Sequence, residues 1–190
     1  MPKLLLAFSI SLDGFVAGPE IGPDQPMGRG GEQLHDWMFQ SAEGSIDRAI
    51  AAEQAARVGA VILGRRTFDI GVPHWDGTPY PAPSFVLTRS PREPMPTRTG
   101  MFTFVGDGIE AALRDAKAAA GTKDVVVMGG ETAAQYLRAG LVDELMLQLV
   151  PITLGGGPRL FAESIVSSWT VERTEQTSFV THLHLVQARQ

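Results

Sequence analysis

Short runs of apolar, largely β-branched residues alternate along the chain with alanine-rich stretches of helical character, which is the pattern of an α/β sheet. It predicts strands over residues 3–11, 60–64, 84–88, 101–105, 124–128, 143–150, 169–175 and 178–187. Helices are predicted over 32–40, 46–58, 66–71, 108–120 and 131–139, with Asp107 able to cap the fourth and Thr122 in the turn after it. Segments 18–31 and 71–83, broken by glycine and proline, read as long surface loops, and loops of that length are often functional. In "SWTVERTEQTSFVTHLHLV" apolar and polar positions alternate on both sides of a polar turn near Glu175 to Thr177, so the last two strands form a hairpin. The expected fold is therefore α/β: a mostly parallel central sheet, flanking helices and a C-terminal antiparallel hairpin.

A length of 190 residues suits one domain, 1–190, with a core that needs no staples. A formal charge of -5 argues against a nucleic-acid partner. The absence of cysteine excludes disulfides and thiolate ligands and is compatible with a cytoplasmic protein. The opening "MPKLLLAFSISLDGF" carries one cation, a short apolar run and Asp13. That is a poor export signal and too short to span a bilayer, so no membrane is expected and the stretch reads as a first strand.

Candidate chemistry gathers where strands end. "VILGRRTF" (61–68) and "VVVMGGETA" (125–133) both run from an apolar strand through glycine into a helix start, where free N–H groups and the helix dipole favour an anion. Gly129 and Gly130 let a backbone approach a pyrophosphate, Thr132 adds a hydroxyl, and Arg65 and Arg66 offer charge to a further phosphate. "FVLTRSP" (85–91) places Thr88, Arg89 and Ser90 at a third strand end. Three such edges suggest an extended dinucleotide. Each has a plainer reading, since a glycine pair after a strand is also a tight turn and paired arginines are also solvated helix-start charge. The fingerprint G-x-G-x-x-G is absent, because "GRGGEQ" (28–33) has the wrong spacing and follows no strand.

Taken in order, "SLDGFVAG" (11–18), "ILGRRTF" (62–68), "VLTRS" (86–90), "VVVMGGETAAQYL" (125–137) and above all "AGLVDELMLQLVPITLGGGPRLF" (139–161) resemble the dihydrofolate reductase-like superfamily. They most resemble stand-alone relatives of the reductase domain of the bifunctional riboflavin-biosynthesis enzyme. The resemblance implies NADPH as cofactor. Val16 and Ala17 would flank the nicotinamide, Gly64, Arg65, Arg66 and Thr67 would meet the adenosine-side phosphates, and Leu87, Thr88, Arg89 and Ser90 would hold the adenine ribose and its 2′-phosphate. Gly129, Gly130, Glu131 and Thr132 would cradle the pyrophosphate. It also implies a homodimer. The chain departs from the riboflavin enzyme in having Met128 where that reductase usually carries a glutamate, and no cysteines for the zinc deaminase.

Hydride transfer to a C=N or C=O carbon needs close approach, exclusion of water and a proton source, but no metal. On the substrate side the candidates are Asp13, Asp36 as a proton relay, and an aromatic wall of Trp37 and Phe39. His182 and His184 share a strand face without a third ligand in local spacing, so no metal site is expected. Trp75 either covers the substrate or packs on a partner subunit. Two functional classes follow: an NADPH-dependent reductase of a small heterocyclic, pterin, flavin-precursor or imine-like substrate, and a non-catalytic nucleotide-binding module that retains the fold.

Overall fold

Runs such as Leu4 to Leu6 and Val125 to Val127 are apolar at every position and buried at every position, which only a strand covered on both faces permits. In the computed structural model, which describes residues 1–161 and 165–188, these runs are central. The strands are β1 (Leu4–Ser11), β2 (Val58–Gly64), β3 (Ser84–Leu87), β4 (Met95–Pro96), β5 (Met101–Val105), β6 (Asp124–Met128), β7 (Glu144–Val150), β8 (Trp169–Gln176) and β9 (Thr181–Gln187). The helices are α1 (Asp36–Gln40), α2 (Ile46–Arg57), α3 (Arg65–Gly71), α4 (Ile109–Ala120) and α5 (Gly130–Arg138).

One sheet of nine strands runs in the order β4-β5-β3-β2-β6-β1-β7-β9-β8. The block from β5 to β7 is parallel, while β4 at one edge and the β9–β8 hairpin at the other are antiparallel. Alternation along each strand sends side chains to opposite faces. Leu4, Leu6, Ile62, Val125, Val127 and Leu145 meet Ala112 and Ala116 of α4 and Tyr136 and Leu137 of α5. Leu5, Val61, Leu63, Val126 and Met146 face the other way, with Phe68 of α3. The expected fold class is the one observed. No helix among the described residues is long and apolar enough to cross a membrane.

Several boundaries differ for local reasons. The single helix expected over 32–40 is a 3-10 turn at Gly31–His35, which buries Leu34, followed by α1, which buries Trp37, at 0% and 2% exposure. Asp107 caps nothing: α4 starts from Gly108, whose φ of 89° takes the chain into the helix, with no side-chain cap. Glu175 belongs to strand β8, opposite His182. The turn comes later, where Thr177 Oγ1 accepts from the amides of Phe179 (3.2 Å) and Val180 (3.3 Å). The edge strand β4, which the sequence pattern did not predict, is two residues long and contains Pro96, a residue tolerated only at such an edge.

At the end of the sheet where β1, β6 and β7 begin, a buried carboxylate ties three elements together. Glu144 pairs with Lys3, with Arg57 Nη1 at 2.9 Å and with His184 Nε2 at 2.9 Å, and Arg57 also reaches Asp124 at 2.7 Å. Burial alone raises the Glu144 pKa, but hydrogen bonds from Lys3, Arg57 and His184 outweigh it and hold the group at about 2 against an ordinary 4.5. A depressed carboxylate pKa contributes stability that is complete above the unfolded value and is lost as pH falls through the folded one. Urea unfolding of Glu144→Gln should therefore show a loss of about 3–5 kcal/mol at neutral pH, the usual effect of breaking a buried ion pair. The variant should also lack the part of the acid-dependent decline that the parent shows between pH 4.5 and about 2. An unchanged midpoint would remove Glu144 from this anchoring role.

Candidate functional site

Because β3, β2, β6 and β1 are consecutive and parallel, their C-terminal ends lie along one edge of the sheet, the side on which open α/β sheets bind ligands. All four segments singled out from the sequence sit there: Leu87 to Ser90 after β3, Gly64 to Thr67 after β2, Gly129 to Thr132 after β6, and Val16 and Ala17 in the loop after β1.

The two glycine corners interlock. A Cβ on Gly64 would stand 2.6 Å from Thr132 Oγ1, and one on Gly129 would stand 2.4 Å from Thr67 Oγ1. Each corner thus receives the first-turn threonine of the other in the space its glycine leaves open. A Cβ on Gly130 would lie 2.8 Å from Val16 Cγ2, so the loop after β1 packs on the same corner. These glycines are required by protein packing, where the sequence suggested room for a ligand. What stays open for an anion is the backbone, since neither α3 nor α5 has a side-chain N-cap.

The loop after β1 is fastened to a glycine-rich loop after β7. The Asp13 carboxylate accepts from Ser11 Oγ at 2.6 Å, from the Leu154 amide at 3.1 Å and from the Gly155 amide at 2.8 Å. The Ser11 hydrogen bond and these amides hold its pKa at about 2. Arg159 donates to the Asp13 carbonyl at 2.7 Å and lies 4.2 Å over the Phe15 ring, while Val16 N–H donates to the Pro158 carbonyl at 3.0 Å. Gly157, at φ 122°, comes so near Ala17 that a Cβ would be 2.1 Å from its carbonyl oxygen. Asp13 is therefore a loop clamp, its carboxylate engaged by Ser11, Leu154 and Gly155.

The cations are arranged unequally. Arg65 pairs with Asp69 at 2.8 Å, one helical turn on. Arg66 donates to the Ile21 carbonyl at 3.2 Å, tethering the 18–31 loop, which His74 also meets at the Pro23 carbonyl, 2.8 Å away. Arg89 is exposed and forms no ion pair among the described residues. Next to it, Thr88 continues the sheet through its amide to Val105 O (3.0 Å), and its hydroxyl accepts from the Ser90 amide (3.1 Å). Glu131 is exposed and Thr132 buried at the α5 start.

On the substrate side the structure separates what the sequence grouped. Phe39 is 74% exposed on α1, and Asp36 is half-buried at its first position. Trp37 is sealed in a small core with Leu34, Val150 and Val180, its indole N–H donating to Ser9 Oγ at 2.9 Å. It is a packing residue, not a pocket wall, because an indole whose N–H finds a partner inside packs as a core side chain. Trp75 stacks on Phe102 at 6.3 Å and fills the space beside Gly71.

A different acid was missed. Asp47, in the first turn of α2, is 2% exposed; Ser41 Oγ donates to it at 2.6 Å and His182 Nε2 lies 2.8 Å away. Burial pushes its pKa up, but the Ser41 and His182 hydrogen bonds prevail and the net direction is down. The available signal was its helical phase, which places Asp47 on the inward face with Ile50. His182 and His184 do share a face, as expected, but each is taken by its own carboxylate. No cluster fit to hold a metal occurs among the described residues.

A mostly parallel sheet with a C-terminal antiparallel hairpin and these loops gathered at one edge is an α/β fold of the dihydrofolate reductase-like type. The chain belongs to the RibD C-terminal domain family, which it matches over residues 2–185. It is 26% identical over 193 residues to the uncharacterized protein YwjB of Bacillus subtilis, covering 98% of both chains. It is also 24% identical to YyaP of the same organism, over 85% of this chain and 81% of that one. Among solved structures, a protein from Shewanella sp. PV-4 assigned provisionally to riboflavin biosynthesis superposes with a TM-score of 0.75 at 25% identity, covering 98% of this chain and 99% of its own. A pyrimidine reductase-like protein from Corynebacterium diphtheriae shares the fold at a TM-score of 0.67, 12% identity and 100% and 93% coverage. So does the bifunctional deaminase/reductase of Thermotoga maritima, at a TM-score of 0.64 and 14% identity, with 98% of this chain matching 57% of that one. The family expected from the sequence motifs is the one found.

Replacing Gly129 by alanine should destabilise the protein by about 2–4 kcal/mol, through its positive φ and the overlap with Thr67. Adding Thr67→Ala should restore the packing part of that loss and leave the backbone part. Thermal unfolding of the two single variants and the double variant measures the coupling, and strict additivity would show that the corners do not interlock.

Proposed function

We propose that the protein is an NADPH-dependent reductase that transfers a hydride to a C=N or C=O carbon of a small heterocyclic substrate. The supporting observation is the lateral order of the four strand ends. Across β3, β2, β6 and β1 the segments come in the lateral order that the roles proposed for them require: adenine ribose and its 2′-phosphate, adenosine-side phosphate, pyrophosphate, nicotinamide. Three strand spacings amount to ~14 Å, a span suited to an extended dinucleotide. The uncapped starts of α3 and α5 present backbone donors to its phosphates, and Leu87 to Ser90 close the adenine end.

Bound NADPH supplies the hydride. The chain's own part is to bind it, orient it and keep water out. Val16 and Ala17, 6% and 7% exposed and locked by the Pro158 and Gly157 contacts, form a dry, fixed surface for the nicotinamide. Asp36 and exposed Phe39 on α1 are the residues offered to the substrate, Asp36 as the group that passes a proton to its heteroatom. Arg89, whose side chain has neither an ion pair nor a hydrogen bond among the described residues, is the residue best suited to a 2′-phosphate, since Arg65 and Arg66 are engaged with Asp69 and Ile21. The substrate is a small molecule, the protein acts in the cytoplasm, and it works as a homodimer.

Titration of the purified protein with NADPH and with NADH, followed by cofactor fluorescence, should show tight and NADPH-selective binding. Arg89→Ala should weaken NADPH roughly tenfold, about 1.4 kcal/mol, and leave NADH unchanged. Binding of neither cofactor would overturn the reading and leave the strand ends as structural turns. In a screen of pterins, flavin precursors and cyclic imines, Asp36→Asn should lower NADPH oxidation by 10²-fold or more without changing NADPH affinity.

A further inference from the structure

Across the face of the sheet beneath α1 and α2, Ser9, Gln148 and His182 stand side by side on β1, β7 and β9. The row lies one residue pair below Ser11, at the end of β1. Two of its polar atoms, Gln148 Nε2 and His182 Nδ1, are buried without a partner among the described residues, on side chains of residues only 3% and 5% exposed. Buried polar atoms are almost always satisfied, and each one left unmet costs about 1–3 kcal/mol. Gln148 and His182 help line a cavity of about 30 Å³, together with Ile50, Met146 and the paired charges of Arg173, Glu53 and Glu175. A water needs ~10–15 Å³ of such space and polar partners to hold it.

The hydrogen-bond pattern fixes what the cavity can take. Ser41 donates its hydroxyl proton to one oxygen of Asp47, and the other faces His182 Nε2 at 2.8 Å. A carboxylate only accepts, so Nε2 carries a proton, and in the neutral ring Nδ1 presents a lone pair. Gln148 Nε2 presents a proton. The complementary occupant gives one hydrogen bond and takes another, a pairing that neither a cation nor an anion can make. Reversing the Gln148 amide leaves an acceptor in place of the donor, and the same occupant serves by turning over.

We propose that this cavity is a binding site for one ordered water molecule, which bridges Gln148 to His182 Nδ1 and so completes a buried chain from Ser41 through Asp47 and His182 to β7. The water leaves both ring nitrogens of an Nε2–H His182 satisfied. In that state His182 also stands edge-on to Trp37, with ring centroids 5.0 Å apart at 82°, so the α1–α2 corner is held to the sheet through it.

Nitrogen-15 NMR of the intact protein at neutral pH tests it directly. His182 should show the Nε2–H tautomer with Nδ1 accepting a hydrogen bond, and the Gln148 side-chain amide protons should give cross-peaks to a long-lived water. Finding His182 protonated on Nδ1, or finding no water contact at Gln148, would overturn the proposal. In Gln148→Leu the water cross-peaks should be lost while the Nε2–H tautomer, set by Asp47, persists. A change of tautomer in the folded variant would show that Asp47 does not set it.

Discussion

The parallel pairing of β3, β2, β6 and β1 is the constraint on which the rest of the molecule depends. Parallel neighbours bring all their C-terminal ends to one edge, and here four successive ends each lead into a polar turn or loop, three of them containing glycine. Such a concentration of backbone donors is stable only if the turns support one another. The exchange of glycine and threonine between the β2 and β6 corners, and the seating of Val16 on Gly130, provide that support without closing the edge.

Strand β9 gives the opposite face its polar character. Its two inward histidines each meet a separate buried carboxylate: His184 with Glu144, near the start of β7, and His182 with Asp47, near the site end. The helix that covers this face, α2, is therefore pinned at both ends, by Asp47 in its first turn and by Arg57 in its last. Apolar packing between them is thin, with Ile50 its one buried apolar side chain, and the ion pairs fix where the helix lies.

Much of this was legible in the chain. The central strands announced themselves as apolar β-branched runs, and the site segments as polar turns following them. Long-range partnership was not legible. Asp13 before Gly14 has the local look of a turn residue, yet its partners Leu154 and Gly155 are 141 and 142 positions away. Trp37 and Phe39, two residues apart, were grouped as one wall, but a short helix turns them to opposite fates, one buried and one exposed. Asp47 was overlooked because an acid at a helix start usually faces water and serves the helix dipole, and only the fold sets His182 against it.

The loop over residues 18–31 is held to α3 and its C-terminal end by Arg66 and His74, and both reach main-chain carbonyls, of Ile21 and Pro23. A tether to the backbone does not depend on which side chain the tethered residue carries. Positions 21 and 23 can therefore exchange residues beside the strand-end edge without loss of the loop's course. Relatives with the same framework are free in this way to diverge in what they accept, with the pressure to stay constant resting on Arg66 and His74.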